Sequence, residues 1–341
     1  MRLYVPTRDA CSLVTEYDGV IKSFLEINRD QSAIGFVDSA EAADLIIVFE
    51  HFSFKLWDYK ESLRECRLLN EFPDRVFTVN DDDLGRGYLP GCYTSLTTRN
   101  FDPNIHKACS YPVTYNEAVS QTTSNPSETA PPFLFSFCGT IRSHPVRKAI
   151  LRELSGCEAG SIEYVDQMFH SHSDTQKRKF TERILESRFV LCPRGWSPST
   201  YRLFEVMELG RCPVIISDEW VPIGGIAWEE CSIRIRERDI SRIPLILSER
   251  IADAELLGAN ARRVWEQNFS VENRNKYYLH SIIDLFERSR ERGPISFADL
   301  YTRWSSWSFY WRNGWTIPQR ARAKLDRTLR KFEIRNAEIR K

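Results

Sequence analysis

The stretch that decides the reading runs SRFVLCPRGWSPSTYRLFEVMELGRCPVIISDEWVPIGGIAWEECSIRI, from Ser187 to Ile235. Its apolar run at 189–192 is too short for a helix and stops at Pro193-Arg194-Gly195, which marks a buried strand leaving a sheet. The loop holding Ser197, Ser199 and Thr200 then opens a predicted helix over 199–209. A hydroxyl can cap such a helix, whose first turn offers unpaired N–H groups and the positive end of a dipole. Further apolar runs at 214–217 and 232–235 read as strands, the first ending at Asp218-Glu219-Trp220. Strand, helix and strand in this order imply a parallel sheet covered by helices.

Arg194 and Arg202 bracket the hydroxyl-bearing loop. A strand end, a helix N-terminus and two guanidinium groups together suit a diphosphate. Glu205 lies on the same helix among Leu203, Phe204, Val206 and Met207. A carboxylate there can accept two hydrogen bonds from the vicinal hydroxyls of a ribose.

Outward from this stretch the same alternation continues. A strand at 133–137 runs into Cys138-Gly139-Thr140, and helices are expected at 145–154, 179–186, 242–247 and 254–269. The first third shows strands at 2–5, 45–50 and 75–79, with helical spacing at 15–25 and 60–70. Between the halves, QTTSNPSETAPP at 121–132 has no apolar periodicity and reads as a linker or exposed loop. The predicted organisation is therefore an N-terminal Rossmann-like domain over 1–120, that linker, a second Rossmann-like domain over 133–292, and a Trp-rich, basic tail over 293–341. The fold class is α/β, with two Rossmann-like domains facing a cleft and the ligand at the C-terminal ends of the strands.

Composition narrows the function. The 341 residues hold 47 basic and 47 acidic side chains, so no global field attracts nucleic acid, and no nucleic-acid motif is present. The N-terminus lacks the apolar run of a signal peptide, and the longest apolar runs resemble 45–49, far short of a membrane span. Nine scattered cysteines without a CxxC pair suit buried thiols in a reducing compartment. The expected location is cytoplasmic.

The decisive stretch closely resembles the exostosin family of glycosyltransferases. The resemblance lies in CPRGxSPxxxRLFE, in PVIISDxWVP, in the segment 228–235, and upstream in FxFxGxxRxxxVRxxIL over 135–151. It implies the B-type glycosyltransferase fold, inversion at the anomeric carbon, and commonly a UDP-sugar donor bound by the C-terminal domain, with no separate cofactor. By position, Gly139 and Arg142 would approach the phosphates, Arg194 and Arg202 would neutralise the leaving diphosphate, and Glu205 would hold the ribose. Ser197 and Ser199 complete this donor set. The acceptor would be a glycan or a lipid-linked saccharide of a cell-surface polysaccharide. The alternative is a non-catalytic, exostosin-like subunit that binds a partner transferase or a glycan.

Transfer needs a base on the acceptor side. The candidates are Asp81, Asp82 and Asp83 after the strand at 75–79, and then Glu50 or His51 after the strand at 45–49. The three aspartates contain a DxD pattern, but in this fold protein dipoles and arginines meet the phosphates, and no metal is inferred. His170 and His172 have no partners at ligand spacing and read as structural or surface histidines. The tail holds Trp304, Trp307, Trp311 and Trp315 and, from residue 303 onward, eleven basic against three acidic residues, most of them after the tryptophans. It can hold the protein peripherally at an anionic inner leaflet, or pack across the two domains.

Overall fold

The computed structural model describes residues 1–14, 18–50, 59–83, 86–113, 116–122, 130–165, 173–291, 293 and 296–308. It contains two all-parallel sheets. The first is built from β1 (Arg2–Tyr4), β2 (Gly35–Phe36), β3 (Leu45–Glu50), β4 (Val76–Asn80), β5 (Gly91–Tyr93) and β6 (His106–Ala108), in the order β2-β1-β3-β4-β5-β6. The second is built from β7 (Phe133–Gly139), β8 (Gly160–Tyr164), β9 (Ser187–Pro193), β10 (Cys212–Ile216) and β11 (Ile233–Arg234), in the order β11-β10-β9-β7-β8. Each sheet thus begins one strand in from an edge, puts its second strand at that edge and adds the rest on the other side. That reversal leaves a crevice beyond the strand ends, between β1 and β3 in one sheet and between β7 and β9 in the other.

Burial explains which strands are legible. All six residues of β3 are buried, as are all five of β10, because helices cover both faces. Helix α1 (Asp18–Asn28) packs on the first sheet, with Phe24 edge-on to Phe49 at 5.1 Å. The helical spacing at 60–70 becomes two short helices, α2 (Tyr59–Glu65) and α3 (Arg67–Glu71), with Cys66 extended between them. Four strands are unmarked by an apolar run. These are the two-residue β2, the polar edge strand β8, and β5 and β6, which lie among Gly, Pro and Asn.

The second sheet carries α5 (Pro145–Leu154), α6 (Asp174–Leu185), α7 (Tyr201–Glu208), α8 (Ile243–Glu249) and α9 (Ala254–Asn268), and α4 (Glu117–Gln121) packs against α6. The chain then returns to the first sheet. In α10 (Val271–Glu291), Tyr278, Leu279, Ile282, Leu285 and Phe286 join the core of β1–β5, with Phe286 edge-on to Phe77 at 5.9 Å. Two tyrosines of α10 donate to carbonyls at the end of the first sheet, Tyr277 to Ala108 at 2.7 Å and Tyr278 to Ser110 at 2.9 Å. The expected assignment of 133–292 to one domain is corrected here, since the apolar face of α10 is buried by its predecessor.

The start of the tail also packs on the first domain. Helix α11 (Phe297–Ser305) places Trp304 in the first core, its indole N–H donating to the Tyr88 carbonyl at 2.9 Å, whereas Trp307 is exposed. The basic stretch from 309 onward, with Trp311 and Trp315, lies outside the described residues, as do His51, His170, His172 and residues 123–129 of the expected linker. No helix among the described residues is long and apolar enough to cross a membrane.

Gly91 starts β5 at a φ of 151°, and a Cβ there would sit 2.0 Å from the Thr78 carbonyl oxygen. Only glycine lets β5 close on β4 at this point. Gly91→Ala is therefore expected to cost more than about 3 kcal/mol, well beyond an ordinary surface substitution. A urea midpoint equal to wild type would show that the two strands can part there without loss.

Candidate functional site

The site follows from the crevice of the second sheet. β7 and β9 pair at Phe133↔Ser187, Phe135↔Phe189 and Ser136↔Val190, and no register partner joins them beyond that. Backbone carbonyls past their ends must find other donors. Arg147 supplies them. It projects from α5 on the same face as Ile150 and Leu154, is almost completely buried, and donates to three carbonyls. Its Nε reaches the Arg194 carbonyl at 2.9 Å, its Nη1 the Thr140 carbonyl at 3.3 Å and its Nη2 the Pro193 carbonyl at 3.3 Å. Burial, and next the neighbouring charge of Arg202, lower its pKa to about 9, so it remains a cation at neutral pH. Arg147 stands in the upstream pattern over 135–151 but has no role assigned by the sequence, although a charge on an otherwise apolar helix face is a signal of one.

A cavity of about 180 Å³ opens above these strand ends. The second domain contributes Gly139, Thr140, Lys177, Phe180, Ser197, Ser199, Arg202 and Glu205, and the first half contributes Asp83, Tyr111 and Asn116. Arg202 is the centre of its wall. The guanidinium lies over Phe137 at 4.8 Å and Phe180 at 5.4 Å, and its Nη2 donates to the Cys138 carbonyl. Its Nε and Nη1 are buried and make no hydrogen bond. A buried cation with two idle donors is costly unless an anion arrives. Gly139 has a related role, since a Cβ there would stand 2.7 Å from Arg202 Nη2.

Glu205 lies one turn along from Arg202 and is half-buried in the same wall. Desolvation raises its pKa to about 7 against the opposing pull of Arg202. Ser197 and Ser199 line the cavity, but Ser197 is also part of a contact between the halves, because its hydroxyl donates to Ser95 Oγ at 2.7 Å and accepts from the Ser199 N–H at 3.1 Å. Tyr111 stacks on Tyr201 with ring centroids 3.6 Å apart and lies 3.4 Å from the Ser197 hydroxyl. The expected hydroxyl cap of α7 is not formed, as the Thr200 side chain at the N-cap makes no such bond.

Other expected site residues are placed differently. Arg194 does not line the cavity; its Nη1 donates to Glu219 at 2.6 Å and lies 3.8 Å from Glu237. Arg142 is exposed and outside the cavity lining. Asp81 and Asp82 are buried, and of the three aspartates only Asp83 lines the cavity. Glu50 is buried away from the cleft, where it accepts hydrogen bonds from Tyr59 and, at 2.5 Å, from Thr78 Oγ1. Glu50 is not among the residues that line the cavity. Among the described residues no group of three or more His, Cys, Asp or Glu side chains is placed to hold a metal ion.

Two all-parallel, helix-covered sheets, with a cavity at the switch point of the second, make up the B-type glycosyltransferase architecture. Residues 68–249, more than half of the chain, match the Exostosin GT47 domain, and the chain belongs to that glycosyltransferase family. Over 304 residues it is 25% identical to the Exostosin-1 homolog of Caenorhabditis elegans, covering 78% of this chain and 77% of that protein. A segment of 71 residues is 38% identical to a probable beta-1,4-xylosyltransferase of Arabidopsis thaliana, covering 20% of this chain and 17% of that one. Among solved structures, a glycosyltransferase from Rickettsia africae shares 9% identity at a TM-score of 0.44, covering 84% of this chain and 98% of that one.

Arg147 yields a test of how the site is built. Arg147→Met leaves three carbonyls at the parted strand ends without a donor and is expected to cost about 3 kcal/mol or more. Arg147→Lys should recover only part of this, since one ammonium cannot span three acceptors in a plane. Urea denaturation of both variants measures it, and a fully stable Met variant would deny the guanidinium this role.

Proposed function

We propose that the protein transfers a sugar from a UDP-sugar, held in the cavity of the second domain, to a glycan or lipid-linked acceptor, with inversion at the anomeric carbon. The observation that carries this reading is Arg202, whose buried Nε and Nη1 lack partners beside an open cavity. Fixed cations there stabilise charge that grows on a leaving diphosphate more than charge in the ground state. Glu205 is the ribose acceptor of the reading, and its place one turn from Arg202 sets phosphate and ribose side by side. The uridine identity rests on the resemblance of the loop at 192–205 to the exostosin pattern.

Asp83 is the base of this reading. It is the member of the acidic run that reaches the cavity, and it comes from the first domain, across from Arg202 and Glu205. A base on that side takes the acceptor proton as the hydroxyl attacks the face opposite the departing diphosphate. One displacement of this kind inverts the anomeric centre. A reducing compartment fits the nine free thiols, seven of them buried. A peripheral contact of the basic tail with an anionic leaflet belongs to the same proposal and rests on the sequence from 303 onward.

Calorimetry with UDP tests the site. Arg202→Ala should weaken UDP at least about tenfold, whereas Asp83→Asn should bind UDP normally and transfer at least about a hundredfold more slowly. Normal transfer by the Asp83 variant would move the base elsewhere. Acidity gives a separate handle on Glu205. The carboxylate is the form that accepts from ribose, and its pKa is about 7, so a bound ribose favours proton release. Affinity for a UDP-sugar should therefore rise from pH 6 to pH 8 and fall about tenfold per unit well below 7. Glu205→Gln should flatten this profile; a flat wild-type profile would remove Glu205 from the ribose.

A further inference from the structure

We propose that Lys177 is the second cation of the diphosphate site, forming with Arg202 a two-point anion clamp from which Arg194 is excluded. The proposal rests on the donor reading above and deepens it by naming the group that meets the outer phosphate. Lys177 lies in α6 and lines the cavity. Phe180, three residues on, shares its helix face, and it is Phe180 that stacks on the Arg202 guanidinium at 5.4 Å. The same turn is tied to the first half of the chain, since the Lys177 carbonyl accepts from Asn116 Nδ2 at 3.5 Å. The two cations therefore stand on adjoining parts of one wall.

Their partners differ from those of the surrounding basic residues. Lys179 and Arg183 of α6 both lie on Glu163, at 3.9 Å and 2.6 Å. Arg147 is engaged with three carbonyls, and Arg194 with Glu219. Lys177 makes no ion pair or side-chain hydrogen bond with the described residues, and Arg202 keeps two idle donors. Arg147 and Arg202 already repel one another, which contributes to the lowered pKa of Arg147. The carboxyls of Asp83 and Glu205 share the cavity but form no ion pair with either cation, and two cations without a paired carboxylate on one wall are matched by a ligand carrying two anionic groups. Arg202 is rigid, clamped between two rings, and suits the inner phosphate. Lys177 is half-buried on a flexible four-carbon stem, and suits the outer phosphate, where charge appears as the glycosidic bond breaks.

The test compares UDP, UMP and inorganic pyrophosphate on wild type, Lys177→Ala, Lys177→Arg and Arg194→Ala by calorimetry. Lys177→Ala should weaken UDP and pyrophosphate about ten- to hundredfold and UMP far less, with an unchanged melting temperature. Lys177→Arg should restore most of the UDP affinity, and Arg194→Ala should keep the wild-type ratio of UDP to UMP. In transfer assays Lys177→Ala should lower kcat as well as raise KM, because charge on the outer phosphate grows in the transition state. Wild-type UDP-to-UMP discrimination in Lys177→Ala, or its loss in Arg194→Ala alone, overturns the proposal. Pyrophosphate binding that needs Lys177 in a protein indifferent to UDP would keep the clamp and remove the uridine donor. Failure of wild type to bind either diphosphate removes the clamp as well.

Discussion

Everything at the site depends on the guanidinium of Arg147 at the point where β7 and β9 part. Two parallel strands that diverge leave their last carbonyls without a ladder, and a loop that leaves the sheet there would otherwise collapse or hydrate. Arg147 binds the carbonyls of Thr140, Pro193 and Arg194 at once, which holds both strand exits in one plane. Burial of a charge is costly, and three acceptors in the geometry of one planar fork offset that cost. The cavity floor is therefore made of backbone fixed by a side chain, and the residues above it inherit its precision.

That floor explains the division of labour among the arginines. Arg194 leaves the sheet next to its own carbonyl's contact with Arg147 and turns to Glu219 and Glu237. Arg202 is the second residue of α7 and reaches back across the exit of β7, where Gly139 leaves room for it. The cation that faces the cavity is thus the one on the helix, and the one on the loop ties strand ends together. The backbone N–H of Thr98 donates to the Glu219 carbonyl, so the residue that holds Arg194 also touches the first half of the chain.

The two halves are joined at several levels. Ser197 reaches Ser95, Tyr111 stacks on Tyr201, and α10 returns to cover the first sheet. These contacts place Asp83 and Asn116 over a cavity whose cations belong to the other domain.

The sequence by itself determined the alternation of strands and helices, because strands buried on both faces must be unbroken apolar runs, as β3, β9 and β10 are. It also picked out the loop and helix carrying Ser197, Ser199, Arg202 and Glu205, since polar side chains set inside an apolar pattern need a reason. Short strands such as β5 escaped it, because their residues are chosen for a close backbone approach at Gly91 and not for an apolar face. Tertiary structure alone decided which of several charged residues face the cavity. Asp81, Asp82 and Asp83 are neighbours in sequence, yet a turn of the backbone buries the first two and presents the third. Arg194 and Arg202 look equivalent along the chain, and only the positions of Glu219 and Phe180 separate an ion-paired guanidinium from one that lies over rings without a carboxylate partner. Pattern reports which face of an element is buried; partners from other elements decide what a buried charge can do.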